Sequence, residues 1–107
     1  MTDIRRRQVV GLEAFCFLPG GCAMTLDQMR YFVTAAQLQN LSKAAEALHI
    51  SQPSLSRSIA RLEEELGTPL FYRQGRRVVL NELGSQFLTS AQSILRELDG
   101  TLAQLRT

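Results

Sequence analysis

Seven residues near the middle of the chain, Ser51-Gln52-Pro53-Ser54-Leu55-Ser56-Arg57, carry side chains suited to reading the edge of a base pair. Arg57 offers a planar fork of N–H donors that can bond guanine bidentately, and Gln52 can do the same for adenine. Pro53 is rigid and apolar and could touch a thymine methyl group. Ser56 can serve a base or a phosphate. Ser51 can cap a helix and so help present backbone N–H groups to a phosphate. The small residues Ser54, Ser56 and Ala60 would let such a helix sink into a groove about 12 Å wide. Arg61 extends the basic side of the same segment. A second basic group, Arg73, Arg76 and Arg77, surrounds Gly75 with no acid between them. Phosphate attraction is its natural chemistry.

These residues need elements to hold them. Leu26, Met29, Phe32, Val33 and Ala36 recur at helical spacing, which predicts a first helix over about 25–39 with Thr25 as N-cap. Asn40 and Leu41 read as a connection. Ser42 then reads as the cap of a short second helix, Lys43 to about Leu48, and is placed with the DNA-contacting residues. Ala44 and Ala45 allow two helices to approach closely. His49 and Ile50 form a turn. Ser51 caps a third helix, about Gln52 to Leu66, with Pro53 in the first turn and Gly67 as its stop. Its inward stripe is Leu55, Ile59, Leu62 and Leu66. At about 100° per residue, Pro53, Arg57, Ala60 and Glu64 then face outward, flanked by Ser56 and Arg61.

Leu70-Phe71-Tyr72 and Val78-Val79-Leu80 are β-formers flanking residues 73–77 and predict a small hairpin. Alone it is too small to be stable, so it must lean on the helices as a wing does. Asn81 caps a final helix running almost to the end. Leu88, Ala91, Leu95, Leu98, Leu102 and Leu105 alternate spacings of three and four, a heptad seam that predicts a homodimer through this helix. Phe87 and Ile94 lie beside the seam and are expected to pack back on the domain. The alternative is a helix that covers only its own core.

The fold class is therefore mainly α: a winged helix-turn-helix of three helices and a two-stranded wing over 24–81, then a long dimerisation (linker) helix over 82–107. Residues 1–23 read as an extension ahead of this domain, with Met24 as the natural start. Arg5-Arg6-Arg7 before Val9–Leu18 imitates a signal peptide, but Glu13 interrupts the apolar run. Cys16 and Cys22 read as free thiols in a reducing cytoplasm.

The bulk numbers agree with one compact domain. Of 107 residues, 45% are hydrophobic and 21% charged, enough to build a core and too balanced in sign for a disordered tail. The net charge of +2 says less than its distribution, since the acids cluster at Glu63-Glu64-Glu65, away from the basic segments. A single histidine, His49, leaves no metal site at usable spacing, and no cofactor is expected. No phosphate loop or Ser/His/Asp set appears, so the chain does not read as an enzyme. A protein-binding winged helix is the rival reading. A face rich in small polar residues around Arg57 argues against it, because protein interfaces favour aromatics. Two bland readings stand beside the DNA reading: Arg57 and Arg61 as a solvated face, and the wing arginines as partners of Glu63–Glu65.

Four stretches resemble the N-terminal domain of LysR-type transcriptional regulators over residues 26 to about 95. They are Leu26-Asp27-Gln28-Met29-Arg30-Tyr31-Phe32, Leu41-Ser42-Lys43-Ala44-Ala45, Ile50 through Arg57, and Leu62 through Arg73, with Gly84 in the last helix. The resemblance implies a sequence-specific double-stranded DNA-binding transcription regulator of the bacterial cytoplasm, associated with the nucleoid. It implies a dimer, assembled further into a tetramer in full-length proteins, on interrupted palindromes often of the form T, eleven bases, A. In the family, the residues matching Gln52, Pro53, Ser56 and Arg57 touch bases, and the one matching Arg76 reaches the minor groove or its phosphates. Asn81 stands where the family usually has Thr, and residues 1–23 have no family counterpart. Family members carry a further effector domain of about two hundred residues, so no effector pocket is expected within this chain.

Overall fold

The structure, a computed structural model, describes residues 24–106; the expectations for residues 1–23, including Cys16 and Cys22, lie outside the described residues. Among the described residues, four helices and one hairpin follow in the order α1 (Leu26–Leu38), α2 (Leu41–Leu48), α3 (Gln52–Leu66), β1 (Phe71–Gln74), β2 (Arg77–Leu80) and α4 (Glu82–Arg106). This is the winged helix-turn-helix with a long final helix that the sequence predicts.

Capping fixes the helix starts. Thr25 and Gln28 form a capping box: the Thr25 hydroxyl accepts from the Gln28 N–H at 3.1 Å, and Gln28 Oε1 accepts from the Thr25 N–H at 2.9 Å. The expected cap of α2 needs correction. Asn40, not Ser42, is the N-cap, accepting from the Lys43 N–H at 2.9 Å, so the helix begins at Leu41. Asn caps as well as Ser. Leu41 is buried and must already be inside the first turn. Ser42 is thereby released from capping and sits half-buried in that turn.

The helix stops differ in how openly the sequence announces them. Gly67 ends α3 at φ 76°. The N–H groups of Gly67 and Thr68 both return to the Glu63 carbonyl, at 2.9 and 3.1 Å. Gln39 and His49 end α1 and α2 in the same left-handed region, at φ 54° and 59°, without being glycine. At the α2 end the Ile50 N–H reaches the Ala45 carbonyl at 3.0 Å, which closes the turn into α3.

The wing is longer and its turn tighter than expected. The register pairs Phe71 with Leu80 and Gln74 with Arg77, leaving Gly75 and Arg76 as a two-residue loop. Gly75 takes φ 63° and Arg76 does not, the pattern of a type II′ turn. Backbone bonds stitch the wing to the α1–α2 turn: the Leu41 N–H donates to the Arg76 carbonyl at 2.9 Å, and the Val78 N–H to that of Gln39 at 3.4 Å.

One core joins all elements. Ala35, Ala36, Ala44, Ala45 and Ala91 let the helices approach closely around Leu55, Ile59 and Leu62. Phe32 is its hinge-pin, meeting the Phe71 ring at 5.3 Å and the Phe87 ring at 5.1 Å. α1 therefore holds both the wing and α4. Gly84 lets α4 cross the start of the wing, since a Cβ there would collide with the Leu70 carbonyl oxygen.

Part of the expected dimer seam belongs to this core. Ala91 and Leu95 are buried within the protomer, and Leu88 packs against the same cluster. Their regular spacing marks a stripe but cannot say what covers it, and α1 does. Ile94, expected to pack inward, is 44% exposed, as Leu83 is at 48% and Leu105 at 77%. Leu98 and Leu102 are half-buried.

Candidate nucleic-acid interface

The tip of α3 is built from its cap outward. Ser51 stands in extended backbone, and its hydroxyl accepts from the Ser54 N–H at 3.2 Å. Gln52 and Pro53 open the first turn, where the missing N–H of proline costs no helical bond. Leu55, Ile59 and Leu62 turn inward and are fully buried. Pro53, Arg57, Ala60, Arg61 and Glu64 are exposed, which is the outward face that the spacing predicts. Gln52, Ser54 and Ser56 are half-buried along its border.

The side chains at this tip are linked. The Ser51 hydroxyl donates to Ser54 Oγ at 2.8 Å, and Arg57 Nη2 donates to the same oxygen at 3.4 Å. Ser54, Arg57, Ser58 and Arg61 line one open cleft with Glu65 and with Thr25 and Gln28 at the start of α1. One oxygen of Glu65, Oε2, is shielded there without a hydrogen-bond partner among the described residues.

The wing divides its arginines between two duties. Arg73 is paired with Glu63 at 3.2 Å, so it is tied into the fold. Arg76 and Arg77 are exposed at the turn, and among the described residues neither side chain enters an ion pair. Pairing of a wing arginine with the Glu63–Glu65 run, one of the two bland readings, is found for Arg73; the backbone contacts of Glu63 are what sequence reasoning missed. Besides the Arg73 guanidinium, its carboxylate accepts the Leu70 N–H at 2.7 Å and the Phe71 N–H at 3.3 Å. Its carboxylate fastens the first strand of the wing to α3. The sequence hint was position: one turn before the Gly67 stop, a side chain can reach back over the chain that follows.

Asn81 has a similar double duty. Its Oδ1 accepts the Gly84 N–H at 2.7 Å as the cap of α4, while its Nδ2 donates to the Pro69 carbonyl at 2.8 Å. Where the family resemblance leads to Thr, this chain has a side chain that caps one element and ties down the preceding loop. Among the described residues, no group of three or more His, Cys, Asp or Glu could hold a metal ion, and no helix is long and apolar enough to cross a membrane.

Comparison with known proteins agrees with this geometry. Residues 26–85 match the family described as bacterial regulatory helix-turn-helix protein, lysR family. The chain is 53% identical over 74 residues to YybE of Bacillus subtilis (strain 168), an HTH-type transcriptional regulator, covering 69% of this chain and 25% of YybE. It is 49% identical over 83 residues to the transcriptional regulator BudR of Klebsiella aerogenes, covering 78% of this chain and 58% of BudR. The chain thus spans a quarter to somewhat over half the length of these relatives. Among solved structures, it superposes on the BenM DNA-binding domain in complex with catB site 1 DNA with a TM-score of 0.74 and 40% identity. That match covers 78% of this chain and 92% of the other. The CbnR DNA-binding domain in complex with DNA gives 0.73 at 35% identity, over 78% and 95%.

Proposed function

The chain belongs to the lysR family of bacterial regulatory helix-turn-helix proteins, and from that premise we propose that it binds double-stranded DNA sequence-specifically as a transcription regulator and not as an enzyme. The observation that carries this reading is the tip of α3. Gln52, Pro53, Ser56 and Arg57 stand at the capped end of a rigid helix whose opposite face is locked in the core. Arg57 and Gln52 read base edges in the major groove, and Ser51, Ser54 and Arg61 flank them. Arg76 and Arg77 at the wing tip, with Ser42 in the first turn of α2, supply contacts to the neighbouring minor groove and its phosphates. Arg73 adds positive charge there but is held by Glu63. That similar BenM and CbnR domains were solved in complex with DNA supports DNA binding by this fold.

Two copies act together, pairing through α4 on an interrupted palindrome. The functional parts are the winged unit over 24–81 and the helix from 82 onward, which share one core. The pairing face shifts from the heptad seam to the apolar residues that α4 leaves open. Leu83, Ile94 and Leu105 lie eleven residues apart, about three turns, so they fall almost in line. Leu98 and Leu102 border this line. Cytoplasmic action on the nucleoid follows from the same reading.

Selection of bound duplexes from a randomised pool tests the proposal, and the recovered site then calibrates the variants. Arg57→Ala should cost about 1–3 kcal/mol and relax preference at one base pair. Arg76→Ala should weaken all sequences more evenly and lower the salt dependence. A footprint indifferent to Arg57→Ala overturns the assignment of α3.

A further inference from the structure

We propose that Ser54 is a positioning residue for Arg57, selecting the side-chain rotamer in which the guanidinium reads its base pair. The inference rests on Arg57 being the base reader proposed above. Ser54 is the third residue of α3 and lies one helical turn before Arg57, so the two share a face. Its hydroxyl oxygen accepts from the Ser51 hydroxyl at 2.8 Å and from Arg57 Nη2 at 3.4 Å.

A serine oxygen has two lone pairs, and these two bonds occupy both. The Ser51 hydroxyl, itself fixed by the Ser54 N–H at 3.2 Å, therefore orients the acceptor that Arg57 meets. The helix cap and the reading residue are linked through one oxygen atom.

Arg57 is exposed, and a free arginine loses considerable rotamer entropy when it docks. A tether present before binding reduces that loss. The bond to Arg57 is long, so it biases the rotamer without sequestering the group. It engages one of five guanidinium N–H donors and leaves a bidentate edge for guanine. The Ser54 proton remains free to donate to a DNA acceptor, which would hold the same arrangement in the complex.

The test uses the whole 107-residue chain and single-base-pair variants of the duplex selected from the random pool. Competition binding measures preference at the pair that Arg57→Ala identifies. Ser54→Ala should lower preference at that pair about 3- to 10-fold, part of the roughly 5- to 150-fold that a bidentate side chain supplies. Added to Arg57→Ala, it should change nothing further at that pair. Ser54→Thr restores an acceptor and should restore the preference, whereas Ser54→Cys, a weak acceptor, should not. That pair of variants decides the matter even if Ser54→Ala folds poorly.

A merely structural role would lower affinity for all sequences alike, and that outcome overturns the proposal. So does a preference unchanged in Ser54→Ala, or one lost equally when Arg57 is already alanine. If Arg57→Ala itself alters no preference, the reading of α3 fails instead, and the two failures are distinct.

Discussion

At the scale of single residues, a carboxylate in an acidic run holds the wing in place. Glu63 joins two backbone N–H groups and one guanidinium, and its side chain is only 15% exposed. Removing it strands donors that water reaches poorly, which is costlier than losing a surface ion pair. Glu63→Ala should destabilise the chain by about 2–3 kcal/mol, while Glu63→Gln, which keeps an acceptor, should cost about half as much. Denaturant unfolding at fixed protein concentration reads both as midpoint shifts. Equal, negligible shifts would mean that the wing does not depend on this carboxylate. By contrast, the Arg30–Asp99 pair between α1 and α4 spans 3.7 Å with both side chains well exposed, and contributes at most about 1 kcal/mol.

At the scale of elements, the decisive contacts are between backbones. The wing hangs from the α1–α2 turn by the Leu41 and Val78 N–H bonds and meets α4 at Gly84. Gly84 sits inside a helix, where alanine is intrinsically better by about 1 kcal/mol. Yet a methyl group there meets the Leu70 carbonyl, which cannot swing away as a side chain can. Gly84→Ala is therefore expected to destabilise by about 1–3 kcal/mol. Gly100 lies in the same helix, and nothing stands within 4 Å of where its methyl group would project. It should respond oppositely, gaining about 0.5–1 kcal/mol as alanine. Thermal melts of the two variants should move in opposite directions, and parallel shifts would contradict the packing at Gly84.

At the scale of the whole molecule, α4 has two apolar faces with different owners. Leu88, Ala91 and Leu95 serve the protomer core, and Leu83, Ile94 and Leu105 remain exposed. A charge on the second face should separate subunits and leave the fold intact. Ile94→Asp is expected to shift sedimentation from dimer to monomer while the melt of the winged unit remains cooperative. With the proposed pairing doubling the DNA site, it should also weaken binding to a palindrome far more than to a half-site. A dimer that survives Ile94→Asp would return the pairing surface to other residues. Ala91→Asp should unfold the domain, since the charge enters a closed core.

The periodicity of apolar residues, the Ser51 cap with Pro53, the Gly67 stop and the β-formers around Gly75 determined the element order and the outward face of α3, because each acts through local backbone geometry. The ends of α1 and α2 are legible near Gln39 and His49, but the left-handed backbone at both is illegible, since neither is the glycine that such a position usually demands, and the cap fell on Asn40 because Leu41 had to be buried. Spacing alone could not say that α1 covers Ala91 and Leu95, nor that Glu63 reaches Leu70 and Phe71. A sequence pattern fixes which residues share a face. Only the packed chain decides which neighbour meets that face, because burial and long-range hydrogen bonds depend on elements distant along the sequence.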